Sequence, residues 1–314
     1  MTPSINPALD SEALYGKSQV YIQRGLRSKG AGDAEEYQLW ASLSLELLGK
    51  AALAGLHPSL VADPLHTHSM FAACGRQLSS DIKTITAKTL FDRLGHLDKA
   101  FDARDQKFCE QMALRRNAEL HSGESPFSAT KRAPWEKQFW GAVQIVLNMQ
   151  DKSLDSWLGA ESAKAPKQIV EDAAEALRLA VESRVERCRD AFEDKYPKKK
   201  RANTITESEG MRWWELPRRF HVVADAHDRT KCPACGSKGV VAGIRWSEEL
   251  STEQDKEDPS VEYVDIVYLA EEFDCPICDL HLFGRKEIEA AELSDEFTKI
   301  EVREREFEAE YGND

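Results

Sequence analysis

The sequence lacks any uninterrupted apolar run of the ~18 to 20 residues needed to cross a bilayer. Its first residues lack the basic start and apolar block of a secretory leader. Both absences point away from membrane insertion and export. There is no glycine-rich phosphate loop and no internal repeat, so neither a P-loop nucleotide site nor a solenoid is expected. A disulfide framework is missing too. Seven cysteines is an odd count, and Cys74, Cys109 and Cys188 are scattered through helical-looking sequence. A reducing cytoplasm is the expected setting.

The chain has 314 residues, enough for two or three domains. A hydrophobic content of 41% supports a core, and 31% charged residues mark a soluble protein. The net charge of −13 is unevenly spread. Residues 1–201 carry 29 Lys+Arg against 27 Asp+Glu, residues 195–245 carry 12 against 5, and residues 248–314 carry 6 against 23. Such an average argues against indiscriminate nucleic-acid binding but leaves room for a local basic surface.

Apolar spacing predicts helices alone from about Asp10 to Tyr196, some six in all, over 33–55, 81–95, 101–121, 134–150 and 167–194 among others. His57-Pro58 ends the first of these, because the residue before proline avoids the helical region. Ser122-Gly123 stops the third. Pro134 and Pro166 open the last two. The run Lys195-Tyr-Pro-Lys-Lys-Lys-Arg-Ala-Asn203 reads as a charged linker, although it also resembles a nuclear localisation signal. Beyond it, 239–246 and 261–269 are rich in β-branched and aromatic residues and read as strands around an acidic loop at 247–260. The expected fold class is therefore mainly α: an all-α bundle over 1–195, a basic and aromatic linker over 196–227, a small β domain over 228–284, and an acidic helix or tail over 285–314. That tail either occupies a basic cleft or is a solvated helix.

The β domain carries Cys232-Pro-Ala-Cys235-Gly and Cys275-Pro-Ile-Cys278-Asp. Each Cys-X-X-Cys turn offers two thiolates at a tetrahedral separation. Each proline stiffens its turn, and Gly236 permits a positive φ. A redox pair would come singly, near a βαβ pattern that is absent. Four cysteines close the shell, so a structural Zn2+ is expected, with His227 and His281 as bystanders. The pattern resembles a zinc ribbon. Ahead of it, Arg212-Trp213-Trp214-Glu-Leu-Pro-Arg218-Arg219-Phe220 interleaves bases and aromatics. This segment either stacks on and pairs with nucleic acid, or its aromatics pack the ribbon against the bundle.

The 101–121 helix ends Leu114-Arg115-Arg116-Asn117-Ala-Glu-Leu-His121. Asn117 lies at i−4 from His121, on the same face. On these residues alone, Arg116 caps carbonyls and His121 is a last-turn residue favoured by the helix dipole. The pattern Arg-Asn-X-X-X-His at a helix end within an all-α domain resembles the motif of HEPN domains. Leu43-Ser-Leu-Glu46-Leu-Leu-Gly-Lys50-Ala-Ala-Leu53 resembles that family's apolar second helix, and the likeness covers roughly residues 10–190. It implies a metal-independent, dimeric endoribonuclease of the toxin or antiviral type. Arg116, Asn117 and His121 would then be catalytic, Glu46 a supporting acid, and RNA the substrate, with Arg115 among the nucleic-acid contacts. Other members of the family have lost activity, so a non-catalytic dimeric adaptor, binding nucleic acid or protein through the ribbon, is the alternative.

Overall fold

The computed structural model describes residues 5–128, 132–212, 220–252 and 260–305. They divide into two compact units, Met1–Ala174 and Glu175–Asp314. The division falls inside a helix, upstream of the boundary at 195 expected from the proline and the charge run.

The first unit is helical: α1 (Ser11–Gly30), α2 (Ala34–Leu56), a 3-10 turn (Pro58–Leu60), α3 (Thr67–Ala73), α4 (Ala87–Leu97), α5 (Ala103–His121), α6 (Arg132–Asn148), α7 (Leu154–Leu158) and the start of α8 (Ala160–Lys195). Side-chain caps set the starts. Asp10, Asp33 and Asp102 each accept from a backbone N–H of the turn they open. Thr86 does the same for α4, which is why that helix starts at Ala87 rather than at 81. Helix α2 ends at His57, extended at φ −164° before Pro58. Helix α5 ends at Ser122, whose hydroxyl donates back to the Ala118 carbonyl. Gly123 is not among the residues with positive φ, so extended Ser122 rather than a left-handed glycine stops the helix. Pro166 lies inside α8 and does not open it. The helix starts earlier, at Ala160, after Gly159 with φ 81°. The expectation of six helices missed short ones, among them α3 and α7.

The core gathers Tyr37, Leu45 and Leu48 of α2, Leu90, Phe91 and Leu94 of α4, Met112 of α5, and Trp135, Phe139 and Trp140 of α6. An aromatic chain runs Tyr37–Trp135–Phe139–Trp140–Trp157, with centroid spacings of 5.1, 5.1, 4.8 and 6.5 Å. By length and composition α2 is apolar enough to cross a bilayer, but 61% of that stretch is buried inside the unit. It is the unit's central helix.

The second unit holds the rest of α8, then α9 (Lys198–Gly210), β1 (Ala226–Lys231), β2 (Lys238–Leu250), β3 (Val261–Asp274), β4 (His281–Phe283), α10 (Arg285–Ala290) and β5 (Glu296–Glu304). The sheet is antiparallel. Strand β2 lies between β1 and β3, and the other edge of β3 pairs first with β5 and then, at its C-terminal end, with β4. Val181, Val185 and Phe192 of α8 share one apolar cluster with Val241, Phe273, Leu280, Leu282 and the four paired-motif cysteines.

Two expectations are corrected here. The basic run at 198–203 is no linker but the first half of α9. Pro197 precedes its first turn, and Arg201 reaches back to the Tyr196 and Glu193 carbonyls at 2.8 and 2.9 Å. Nor do residues 285–304 form a long charged helix or tail. The short α10 turns the chain, and 296–304 then pairs with β3 along its length. Phe297 lies on one face of this strand and the exposed Ile300 and Val302 on the other, so no apolar alternation marked it.

Strand β2 bulges at Ala242/Gly243. A Cβ on Gly243 would lie 2.7 Å from the Phe297 ring and 2.8 Å from the Leu269 carbonyl oxygen. Gly243→Ala is therefore expected to destabilise the second unit by about 1–3 kcal/mol through overpacking, read as earlier urea unfolding. An unchanged midpoint would show that β5 does not lie over this bulge.

Candidate metal centre and helix-end polar site

Cys232 and Cys235 sit in the turn between β1 and β2, and Cys275 and Cys278 in the turn between β3 and β4. The two turns are built alike. The N–H of Gly236 donates to the Cys232 carbonyl at 3.0 Å, and the N–H of Asp279 to the Cys275 carbonyl at 2.9 Å. Both residues are left-handed, with φ 77° and 61°. Glycine adopts that conformation freely, and aspartate is among the side chains that tolerate it. The first cysteine of each turn also donates its N–H five residues on, to Ser237 and to Leu280, at 2.8 Å each. Arg189 of α8 bonds the Pro233 and Ala234 carbonyls of the first turn.

All four sulfurs are buried and lie within 4.8 Å of one another. The Cys232–Cys278 and Cys235–Cys275 separations are 3.6 Å each. A disulfide would bring sulfurs to about 2.05 Å. A tetrahedral shell with bonds of about 2.3 Å sets them about 3.8 Å apart, close to what is found. This group can hold a metal ion. Neither His227 nor His281 belongs to it. Burial pushes the thiol of neighbouring Cys188 up, and Cys188 is not part of the four-sulfur group.

In the helical unit, Arg116 of α5 turns toward α2. One terminal guanidinium nitrogen pairs with Glu46, and Nε donates to Asn117 Oδ1 at 3.1 Å. Lys50, one turn beyond Glu46, binds its other oxygen at 2.8 Å and Thr84 Oγ1 at 3.0 Å. The side chains of Glu46, Arg116 and Lys50 are 15, 12 and 9% exposed. Burial alone would raise the Glu46 carboxyl, but the charges and hydrogen bonds of Lys50 and Arg116 outweigh it and hold the group below its ordinary value. Glu46, Arg116 and Asn117 line a pocket of about 390 Å³ with Lys88, Glu110 and Leu114. His121 is exposed at the last position of α5, on the face of Asn117 and Leu114.

The structure thus joins Glu46, Arg116 and Asn117, with His121 one turn away. Arg115 is half-buried on the same helix and Arg212 is exposed just past α9. Trp213, Trp214, Arg218 and Arg219 lie outside the described residues. Phe220 sets its ring 5.3 Å from that of His227. Two participants escaped sequence reading. Lys50 was legible as a lone cation in the apolar run of α2, at i+4 from Glu46. Glu272, wholly buried and bonded by His221 and His281, is one of five acidic residues of β3, and nothing in the sequence set it apart from the others. No family model, curated protein or solved structure matches the chain.

The folded Glu46 carboxyl titrates below its ordinary value of 4.5. Its stabilising contribution is therefore full above the unfolded value and is lost as pH falls through the folded one. The stability gap between wild type and Glu46→Gln should be widest at neutral pH and narrow on acidification below about pH 4.5. A gap independent of pH, in thermal melts between pH 3 and 7, would show that Glu46 is not an ionised partner of Arg116 and Lys50.

Proposed function

We propose that the helical unit is HEPN-like and that Arg116, Asn117 and His121 form the cleavage site of a metal-independent endoribonuclease. The observation that carries this reading is the Glu46–Arg116–Asn117 network at the mouth of a pocket, with exposed His121 one helical turn further on. Around Glu46 the two cations leave one net positive charge to meet a scissile phosphate. The 2′-hydroxyl of RNA attacks phosphorus, its proton passes to a base, and the bond to the 5′-oxygen breaks as that oxygen takes a proton. A histidine imidazole titrates near neutrality and suits either proton transfer. Arg116 meets the charge that builds on the phosphoryl oxygens, and Asn117 holds the guanidinium by its Nε. DNA lacks the attacking hydroxyl.

Two proton transfers and a single histidine in each motif favour a homodimer whose motifs share a cleft. Leu114 and Leu120, 67 and 49% exposed on α5, offer apolar surface for a second copy to cover. Such an enzyme would act in the cytoplasm as a toxin or antiviral effector. The second unit reads as a zinc ribbon whose structural Zn2+ sits on Cys232, Cys235, Cys275 and Cys278 and which recognises RNA or a protein trigger. One observation favours the adaptor reading instead. Arg116 is already paired within its own chain, as a residue that fixes the helices and no more would be.

Purified protein is incubated with single-stranded and structured RNA in EDTA, with its bound zinc assayed afterwards. Cleavage is expected, falling ~100-fold or more in His121→Ala and in Arg116→Ala. Cleavage equal to wild type in both variants sinks the site assignment, and no cleavage of any RNA by wild type leaves the adaptor. Prolonged chelation, or Cys232→Ser, is expected to release zinc and unfold the second unit, because a closed thiolate shell contributes directly to folding. Retention of the β-sheet circular dichroism after the metal is gone would contradict a structural zinc.

A further inference from the structure

Buried carboxylates are costly unless several donors satisfy them, and Glu272 of β3 has no side-chain exposure at all. Its two oxygens are used differently. Oε2 accepts the backbone N–H groups of His221 and Val222 at 2.7 and 2.8 Å. Oε1 faces two imidazoles, His221 through Nδ1 at 2.9 Å and His281 through Nε2 at 3.1 Å. The two rings are 5.5 Å apart, centroid to centroid. The run before β1 thus meets the hairpin of β3 and β4, some fifty residues further on, and the three ligand atoms lie within 4.8 Å of one another.

We infer that His221, Glu272 and His281 form a second Zn2+ site, separate from the four-cysteine cluster. Two imidazole nitrogens and one carboxylate oxygen are the donor set that zinc takes when it keeps a position open. The amides of His221 and Val222 hold Oε2 and so leave Oε1 as a single, oriented ligand, the role outer hydrogen bonds play at metal sites. Arg184 of α8 donates to the His281 carbonyl at 3.1 Å and to the Glu287 carboxylate at 2.7 Å, which anchors β4 beneath its histidine. The His221 side chain is 72% exposed and that of His281 28%, so the ion reaches the site from solvent. Its remaining position is left to water or to an oxygen of an anionic ligand. The ring protons now directed at Oε1 leave as the metal binds.

The test is the total zinc the full-length chain holds at saturation. Resident metal is measured by mass spectrometry on the protein as isolated, and added Zn2+ is then titrated by calorimetry at neutral pH. Wild type should hold one equivalent more than either His221→Ala or His281→Ala. His221 is exposed, so its variant keeps the fold, as circular dichroism will check. Equal totals in wild type and both variants would overturn the assignment. The result is independent of the nuclease reading, which concerns the other unit. It is also independent of the thiolate shell, which all three proteins share.

Discussion

The second unit depends on four sulfur atoms that meet in an apolar cluster. Neither turn that carries them is long, and the sheet around them is small. What makes the arrangement hold is that the two turns repeat one backbone design: a cysteine whose carbonyl accepts from a left-handed residue four positions on, Gly236 in one and Asp279 in the other. That geometry aims both thiols of a turn the same way. The strands then set the two turns against each other, since β2 pairs with β3 and each turn leads into or out of one of them. Burial of Val181, Val185 and Phe192 of α8 in the same cluster ties the helix to the sulfurs, so the cysteine turns and the apolar core are one object.

The helical unit is organised by a different constraint, charge placed where water is scarce. Glu46 lies on the most buried helix and needs Lys50 and Arg116 to stay ionised there. Arg116 is thereby drawn from the open face of α5 toward α2, and its Nε holds Asn117. The side chains that a phosphate would meet are oriented by a carboxylate rather than left free. This pre-orders the site, and it also sets an energetic toll on removing Glu46.

Glu272 repeats this principle in the second unit. A buried carboxylate is satisfied from several directions at once, by two amides and two imidazoles. In both units, polar groups are gathered around a buried acid. The difference lies in the partners. Two fixed cations surround Glu46, and two imidazole rings surround Glu272.

Much of this was legible in the chain itself. The period of α2, its stop before Pro58, and the paired Cys-Pro-X-Cys turns follow from local chemistry, as does the placing of Asn117 and His121 on one helical face. Local rules read contacts within a turn or two, so they found the four cysteines and the helix-end motif. They did not find β5, because its apolar residues fall on both faces and leave no period of two, and the strand is held by pairing with β3. The helical start of the basic run was missed for the same reason, since Arg201 satisfies carbonyls of the preceding helix. The sequence by itself determined which side chains can do chemistry: thiolates in pairs, an Arg-Asn-His helix end, and Glu46 among the apolar residues of α2. Only the tertiary structure decided which of them meet. Glu46 with Arg116, and His221 with Glu272 and His281, are separated by tens of residues, and long-range packing alone brings such atoms to hydrogen-bonding distance.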